Sequence, residues 1–150
     1  MLQNIIMQLF DNELTIITYS IMQFISGQYG RNYQNMYPNI AAKNGHLWII
    51  QKLREKRFMH CTSQGADLAA SGGYLDVICD LQQHNIHCSY KGANHAAMNG
   101  HLNIIKKLEN NGVNSIRCTN LGAYWASRSG YNNIVEYLRK YGINYDETHY

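Results

Sequence analysis

The chain has 150 residues, a hydrophobic fraction of 45% and a formal net charge of +3. That is one domain's length with enough apolar material for a core, which excludes a disordered polymer. So slight a positive excess gives no argument for nucleic acid or a membrane surface as partner.

Residues 1–32 come first. Between residues 2 and 25 the charges are Asp11 and Glu13, and polar residues interrupt the apolar runs. Such a segment is neither a signal peptide nor a membrane span. Asn12-Glu13-Leu14-Thr15-Ile16-Ile17 lines up with Gly45-His46-Leu47-Trp48-Ile49-Ile50, so residues 2–25 are expected to form a degenerate capping unit. Residues 26–38 are rich in Gly, Asn and Tyr, and Pro38 is expected to help start the helix that follows.

From there one phrase is written four times. Starting at Cys61 it reads CTSQGADLAASGGYLDVICDL, at Cys88 CSYKGANHAAMNGHLNIIKKL and at Cys118 CTNLGAYWASRSGYNNIVEYL. A copy without the Cys begins at Tyr33, as YQNMYPNIAAKNGHLWIIQKL. The units span residues 33–60, 61–87, 88–117 and 118–144, and 145–150 is a polar tail. Units of this kind bury their apolar faces against each other, because neither half is long enough to stand alone in water.

Each unit predicts two short helices. The first carries Gly65-Ala66-Asp67-Leu68-Ala69-Ala70 or its equivalent, with the Ala pair allowing close backbone approach. Thr62, Ser89 and Thr119 are expected to be its N-caps. Gly45, Gly73, Gly100 and Gly130 break the chain at steps of 28, 27 and 30 residues, and a second helix follows. There Leu102, Ile104, Ile105 and Leu108 form an apolar stripe, while Asn103, Lys106 and Lys107 point away. Four residues past Leu53, Leu81, Leu108 and Leu138 stand Arg57, Asn85, Gly112 and Gly142, three of them suited to a left-handed helix end. Phe58, Ile86, Val113 and Ile143 follow as capping contacts, so all length variation is expected beyond the cap.

A helix, a glycine turn, a second helix and a short connector resemble ankyrin repeats, most clearly in AAKNGHLWIIQKL and AAMNGHLNIIKKL. The resemblance covers about Tyr33 to Asn144. The family's Thr-Pro-Leu-His opening is replaced by Gln64-Gly65-Ala66-Asp67 and its equivalents, and the steps fall short of the family period of about 33 residues. In this the chain looks like the short divergent ankyrin repeats of giant DNA viruses of amoebae. The resemblance implies an all-α helical solenoid with a degenerate N-terminal cap, short connectors and stunted fingers. A rival for the N-terminal segment is a recruitment helix pair of the F-box kind, suggested by Asn12-Glu13-Leu14.

Four Cys and seven His raise the question of a metal. Cys61, Cys88 and Cys118 recur at one register position, four residues before Gly65, Gly92 and Gly122. Helices in successive layers lie about 8–10 Å apart, too far for equivalent thiolates to share a zinc or form a disulfide. Reduced, partly buried thiols in a reducing compartment are expected instead, with Cys79 in the core. His84, His87 and Cys88 form a tighter cluster, and a metal- or redox-responsive module built on them is an alternative reading. His46 and His101 alternate with Tyr74 and Tyr131, a swap that keeps a flat ring and loses the imidazole, so packing explains it. No nucleophile–base pair, phosphate-cradling loop or paired carboxylates emerge, and the chain reads as no enzyme, without cofactor or small-molecule substrate.

In an ankyrin-type stack the first helices and connectors line the concave side, and variable positions there are the expected contacts. These are Lys43, Asn44, His60, Ser63, Ser71, Tyr90, Lys91, Met98, Asn99, Asn120, Arg128 and Ser129. The basic residues of 52–57 and Lys106-Lys107 read as a solvated face. Trp48 stands among Asp76, Asn103 and Asn133 on the solvent side of the second helix, where the N-terminal cap is expected to cover it. The expectation is a cytoplasmic protein-binding adaptor, in the host cytoplasm and with a host protein as partner if the viral resemblance holds. A structural segment of a larger repeat assembly is the alternative, and the polar end after Asn144 weighs against truncation.

Overall fold

The computed structural model describes residues 36–55, 60–110 and 115–145. Expectations for residues 1–32 and for Arg57, Phe58, Gly112 and Val113 lie outside them. Eight helices and no strand are found among the described residues: α1 (Met36–Lys43), α2 (Leu47–Glu55), α3 (Ser63–Gly72), α4 (Leu75–Gln83), α5 (Tyr90–Met98), α6 (Leu102–Glu109), α7 (Asn120–Arg128) and α8 (Asn132–Lys140). The first helices α1, α3, α5 and α7 pack in a row on one another, and each second helix packs chiefly on the first helix of its own unit. The result is two layers of a helical repeat solenoid.

The inner row can close up because its contact residues are small. Ala69, Ala70, Ala96, Ala97 and Ala126 are fully buried, and no longer side chain holds the helices apart. The second helices supply the bulk: Ile78, Leu81, Ile104, Ile105, Leu108, Ile134 and Leu138 are all sealed from solvent. Each is a side chain whose burial is worth about 1.5–3 kcal/mol before ordering costs. Leu102 is half-buried at the edge of that stripe, and Cys79, expected in the core, is half-buried as well. Pro38 sits in the first turn of α1, where its missing N–H costs nothing, and is itself buried.

The turn between helices is one device used four times. Gly73 takes φ +79°, and the Tyr74 amide reaches back to the Ala69 carbonyl at 3.1 Å. His46, His101 and Tyr131 donate to Ala41, Ala96 and Ala126 in the same way. A side chain at position 73 would also meet the ring of His101, at 2.7 Å, from the following unit. Glycine is therefore required twice over, by its left-handed backbone and by the ring that lies against it. The rings of Tyr74 and Tyr131 lie against Gly45 and Gly100 likewise. The His–Tyr alternation is a packing position.

At the far end of the second helices, Asn85 and Gly142 are left-handed as expected, with φ +59° and +75°. The Ile86 and Ile143 amides then close onto the Leu81 and Leu138 carbonyls. In the third unit that role falls to Ile116, whose amide bonds Leu108 O at 3.0 Å. The longest unit is thus closed from a greater distance along the chain than its neighbours. The reason is that Ile116, like Ile86, stands two residues before the buried Cys of the next unit and packs on the core. Between α4 and α5 the whole connection is residues 84–89, too short for a projecting finger.

Candidate partner-binding surface

What fixes one first helix to the next is a polar clasp. Asn39 Oδ1 accepts the Thr62 amide at 3.0 Å, and Asn39 Nδ2 donates to Thr62 Oγ1 at 3.0 Å. Asn94 repeats both bonds with Thr119 at 2.9 Å. In the middle junction Asp67 accepts the Ser89 amide and the Ser89 hydroxyl, each at 2.7 Å. The claspers lie six residues before the turn glycine, and each side chain rests over the glycine that opens the next first helix. A Cβ on Gly92 would lie 2.9 Å from Asp67 Cα and one on Gly122 3.1 Å from Asn94 Cα.

The clasp also corrects the capping expectation. Thr62 and Thr119 occupy N-cap positions but make no side-chain cap bond, whereas Ser89 Oγ accepts from the Lys91 amide at 3.2 Å. An amide can donate to a hydroxyl, which ties the Thr oxygen to the preceding unit. A carboxylate can only accept, so the Ser89 hydroxyl gives Asp67 its proton and keeps lone pairs for the helix. Next to the clasps lie the buried thiols: Cys61 Sγ donates to Pro38 O at 3.2 Å and Cys118 Sγ to Ala93 O at 3.1 Å. Burial pushes the Cys61 thiol up to about 11, and those of Cys88 and Cys118 up to about 12. All three are uncharged at neutral pH.

On the second helices the ties differ from junction to junction. Arg54 pairs with the buried Asp80, and Gln51 Nε2 also donates to that carboxylate at 3.2 Å. Burial acts to raise the Asp80 pKa, but the hydrogen bonds from Arg54 and Gln51 outweigh it and hold the carboxyl below the usual 3.8. Arg54 is therefore not part of a solvated charge run, as the sequence suggests. His84 Nδ1 donates to the Asp80 carbonyl at 2.8 Å, which leaves Nε2 to accept from Arg54 at 3.0 Å. With that lone pair engaged and the Cys88 thiol buried, His84, His87 and Cys88 offer no joint ligand set. In the last junction Tyr137 donates to Glu109 at 2.7 Å.

What remains outward on the first helices forms a surface. The residues nine, five and two before each turn glycine share one helix face: Gln64, Leu68 and Ser71 on α3, Lys91, His95 and Met98 on α5, and Leu121, Trp125 and Arg128 on α7. On α1 the exposed Ile40 and Lys43 continue the row. Trp125 is 41% exposed with its ring edge-on to Tyr124, and Ile40 is 44% exposed.

Of the expected contacts, Lys43, Asn44, His60, Ser63, Tyr90, Lys91, Asn120, Arg128 and Ser129 are exposed, and Met98 is half-buried. Asn99 Nδ2 donates to Ser71 O at 2.8 Å and to Ser71 Oγ at 3.0 Å, so these two tie α3 to the end of α5. The sequence reading missed Ile40, Leu68, His95 and Trp125, the centre of the face. Their spacing three residues before Lys43, Ser71, Met98 and Arg128 was the available signal. Trp48 is 47% exposed, and the cover expected for it involves residues outside those described.

No helix among the described residues is long and apolar enough to cross a membrane. A family model described as ankyrin repeats in three copies matches residues 39–149. No curated protein matches the chain.

Proposed function

The chain belongs to the ankyrin-repeat family, and from that premise we propose that it is a protein-binding adaptor working through the outward face of α1, α3, α5 and α7. Ankyrin repeats are generally protein–protein interaction modules and typically carry no catalysis. One observation supports the placing of the site most. Clasps, glycine turns and alanines take up the inward sides of the first helices, yet the large side chains Ile40, Leu121 and Trp125 on this face are left facing solvent. Aromatic and aliphatic groups on a rigid scaffold, with Arg among them, have the makeup of an interface centre.

Residues 1–32 are proposed as the N-terminal cap and 33–144 as the repeats. The short steps and the Asn- and Tyr-rich composition support a kinship with giant-virus repeats, which would put the adaptor in the host cytoplasm with a host protein as partner. The test is affinity capture from a cell lysate, comparing the natural chain with a Lys43→Glu, Met98→Glu, Arg128→Glu variant of matched melting temperature. A partner held by the first and lost by the second is the expected result. A partner held equally by both, or an enzymatic activity abolished by one side-chain change, would contradict the proposal.

A further inference from the structure

Charge is divided unequally between the two layers. Among the described residues Glu55, Asp76, Asp80, Glu109 and Glu136 all lie on second helices. The first helices carry one carboxylate, Asp67, and both of its oxygens are engaged by Ser89. Lys43, Lys91 and Arg128 nevertheless stand on their outward face, with Arg117 exposed in the connector before α7. Between these cations lie Ile40, Leu68 and Trp125. The second-helix layer mixes both signs, pairing Lys52 with Glu55 and Arg54 with Asp80. Among the described residues the outward inner face is thus apolar and cationic, with no carboxylate free to answer its charges.

Resting on the protein-binding reading, we propose that this face takes an acidic peptide segment of its partner, one in which Asp and Glu alternate with large apolar side chains. The apolar strip requires a partner that covers it closely. Covering it strips water from the Lys and Arg head groups beside it, and a neutral segment leaves those charges without compensation. A basic segment is repelled outright. An acidic one both compensates the charges and is steered to the face from a distance. Nucleic acid fits less well: Ile40 and Leu68 give no flat ring for base stacking, and cations on successive helices stand about 8–10 Å apart rather than tracking a phosphate chain.

The experiment is selection of a random displayed-peptide library on the full chain, in parallel with its Lys91→Glu, Arg128→Glu variant and with Trp125→Ala. A single-stranded oligothymidine serves as the nucleic-acid probe. The natural chain is expected to enrich acidic peptides with aromatic or aliphatic anchors, and the charge-reversed chain is expected to lose them. A synthetic copy of the winning peptide should bind about tenfold more weakly to Trp125→Ala, with unchanged melting of the protein. Its affinity should fall as salt rises, as screening of exposed charges requires. Neutral or basic winners lost on Trp125→Ala would overturn the acidic assignment and leave the protein-binding reading in place. Oligothymidine bound in preference to every peptide, or no peptide enriched at all, would overturn both.

Discussion

The first-helix layer and the second-helix layer solve the same stacking problem by opposite means. In the first layer one solution recurs: Asn39, Asp67 and Asn94 clasp Thr62, Ser89 and Thr119, and alanines meet at each junction. In the second layer Arg54–Asp80 ties the first junction and Tyr137–Glu109 the last, while Gln82 and Lys107 hold the matching places between them. The difference follows from what is being satisfied. The clasp serves a backbone N–H, present whatever the side chain, so its chemistry cannot drift far. The outer ties join side chain to side chain, and any pair that satisfies itself will do. Variation on the second helices therefore says little about function, whereas variation on the outward face of the first helices is displayed from a rigid frame.

The sharpest way to break the inner layer is to fill it. Ala96→Leu places a branched side chain where exposure is 0%, and a loss of about 3 kcal/mol or more is expected in urea unfolding. An outer tie should break differently. Arg54→Met leaves the buried Asp80 carboxylate without its cation, costing about 2–3 kcal/mol, and Asp80→Leu added to it should restore most of that stability. Asp67→Ala should cost about 1–2 kcal/mol. Here Asp67→Asn should be tolerated, as Asn39 and Asn94 are, but no apolar pair should restore the loss because the Ser89 amide stays unpaired. Recovery by an apolar pair at both sites would erase the contrast between the layers.

Titration gives the smallest effects. The Asp80 carboxyl is depressed in the folded chain, so its stabilisation is complete above 3.8, the ordinary value, and is lost as pH falls through the lower folded one. That acid-side loss should shrink in Arg54→Met. The buried thiols work on the other side. They ionise at about 9.0 in the unfolded chain but are raised to about 11 and 12 by burial, so stability is lost as pH rises above 9. Replacing Cys118 by Ala should flatten that alkaline slope in thermal melts. At neutral pH a thiol reagent should modify the half-buried Cys79 first and reach Cys61, Cys88 and Cys118 only on unfolding.

Much of the frame was legible in the sequence because a repeat averages away accidents. The Ala pairs, the turn glycines and the Leu stripe each recur in one register, and the left-handed ends at Asn85 and Gly142 follow from the same alignment. What stayed hidden depends on a partner in the neighbouring unit. Asn94 looks like an ordinary polar residue in a helix until Thr119, 25 residues on, is seen to answer it. Arg54 sits in a basic run, and its acid stands 26 residues away. Leu68 and Ile40 resemble core residues by type, and only the helix face they occupy shows that they point outward. The bond between Ser71 and Asn99 was hidden for the same reason, since variable polar residues can also tie units together.

The chain has two tryptophans, one on each layer: Trp125 on α7 and Trp48 on α2. Acrylamide quenching of Trp48→Phe and Trp125→Phe variants, with and without a captured partner, reads the two surfaces separately. The account predicts that bound partner shields Trp125 and leaves Trp48 quenchable. Shielding of Trp48 with Trp125 still open to the quencher would contradict it and move the binding surface to the second helices.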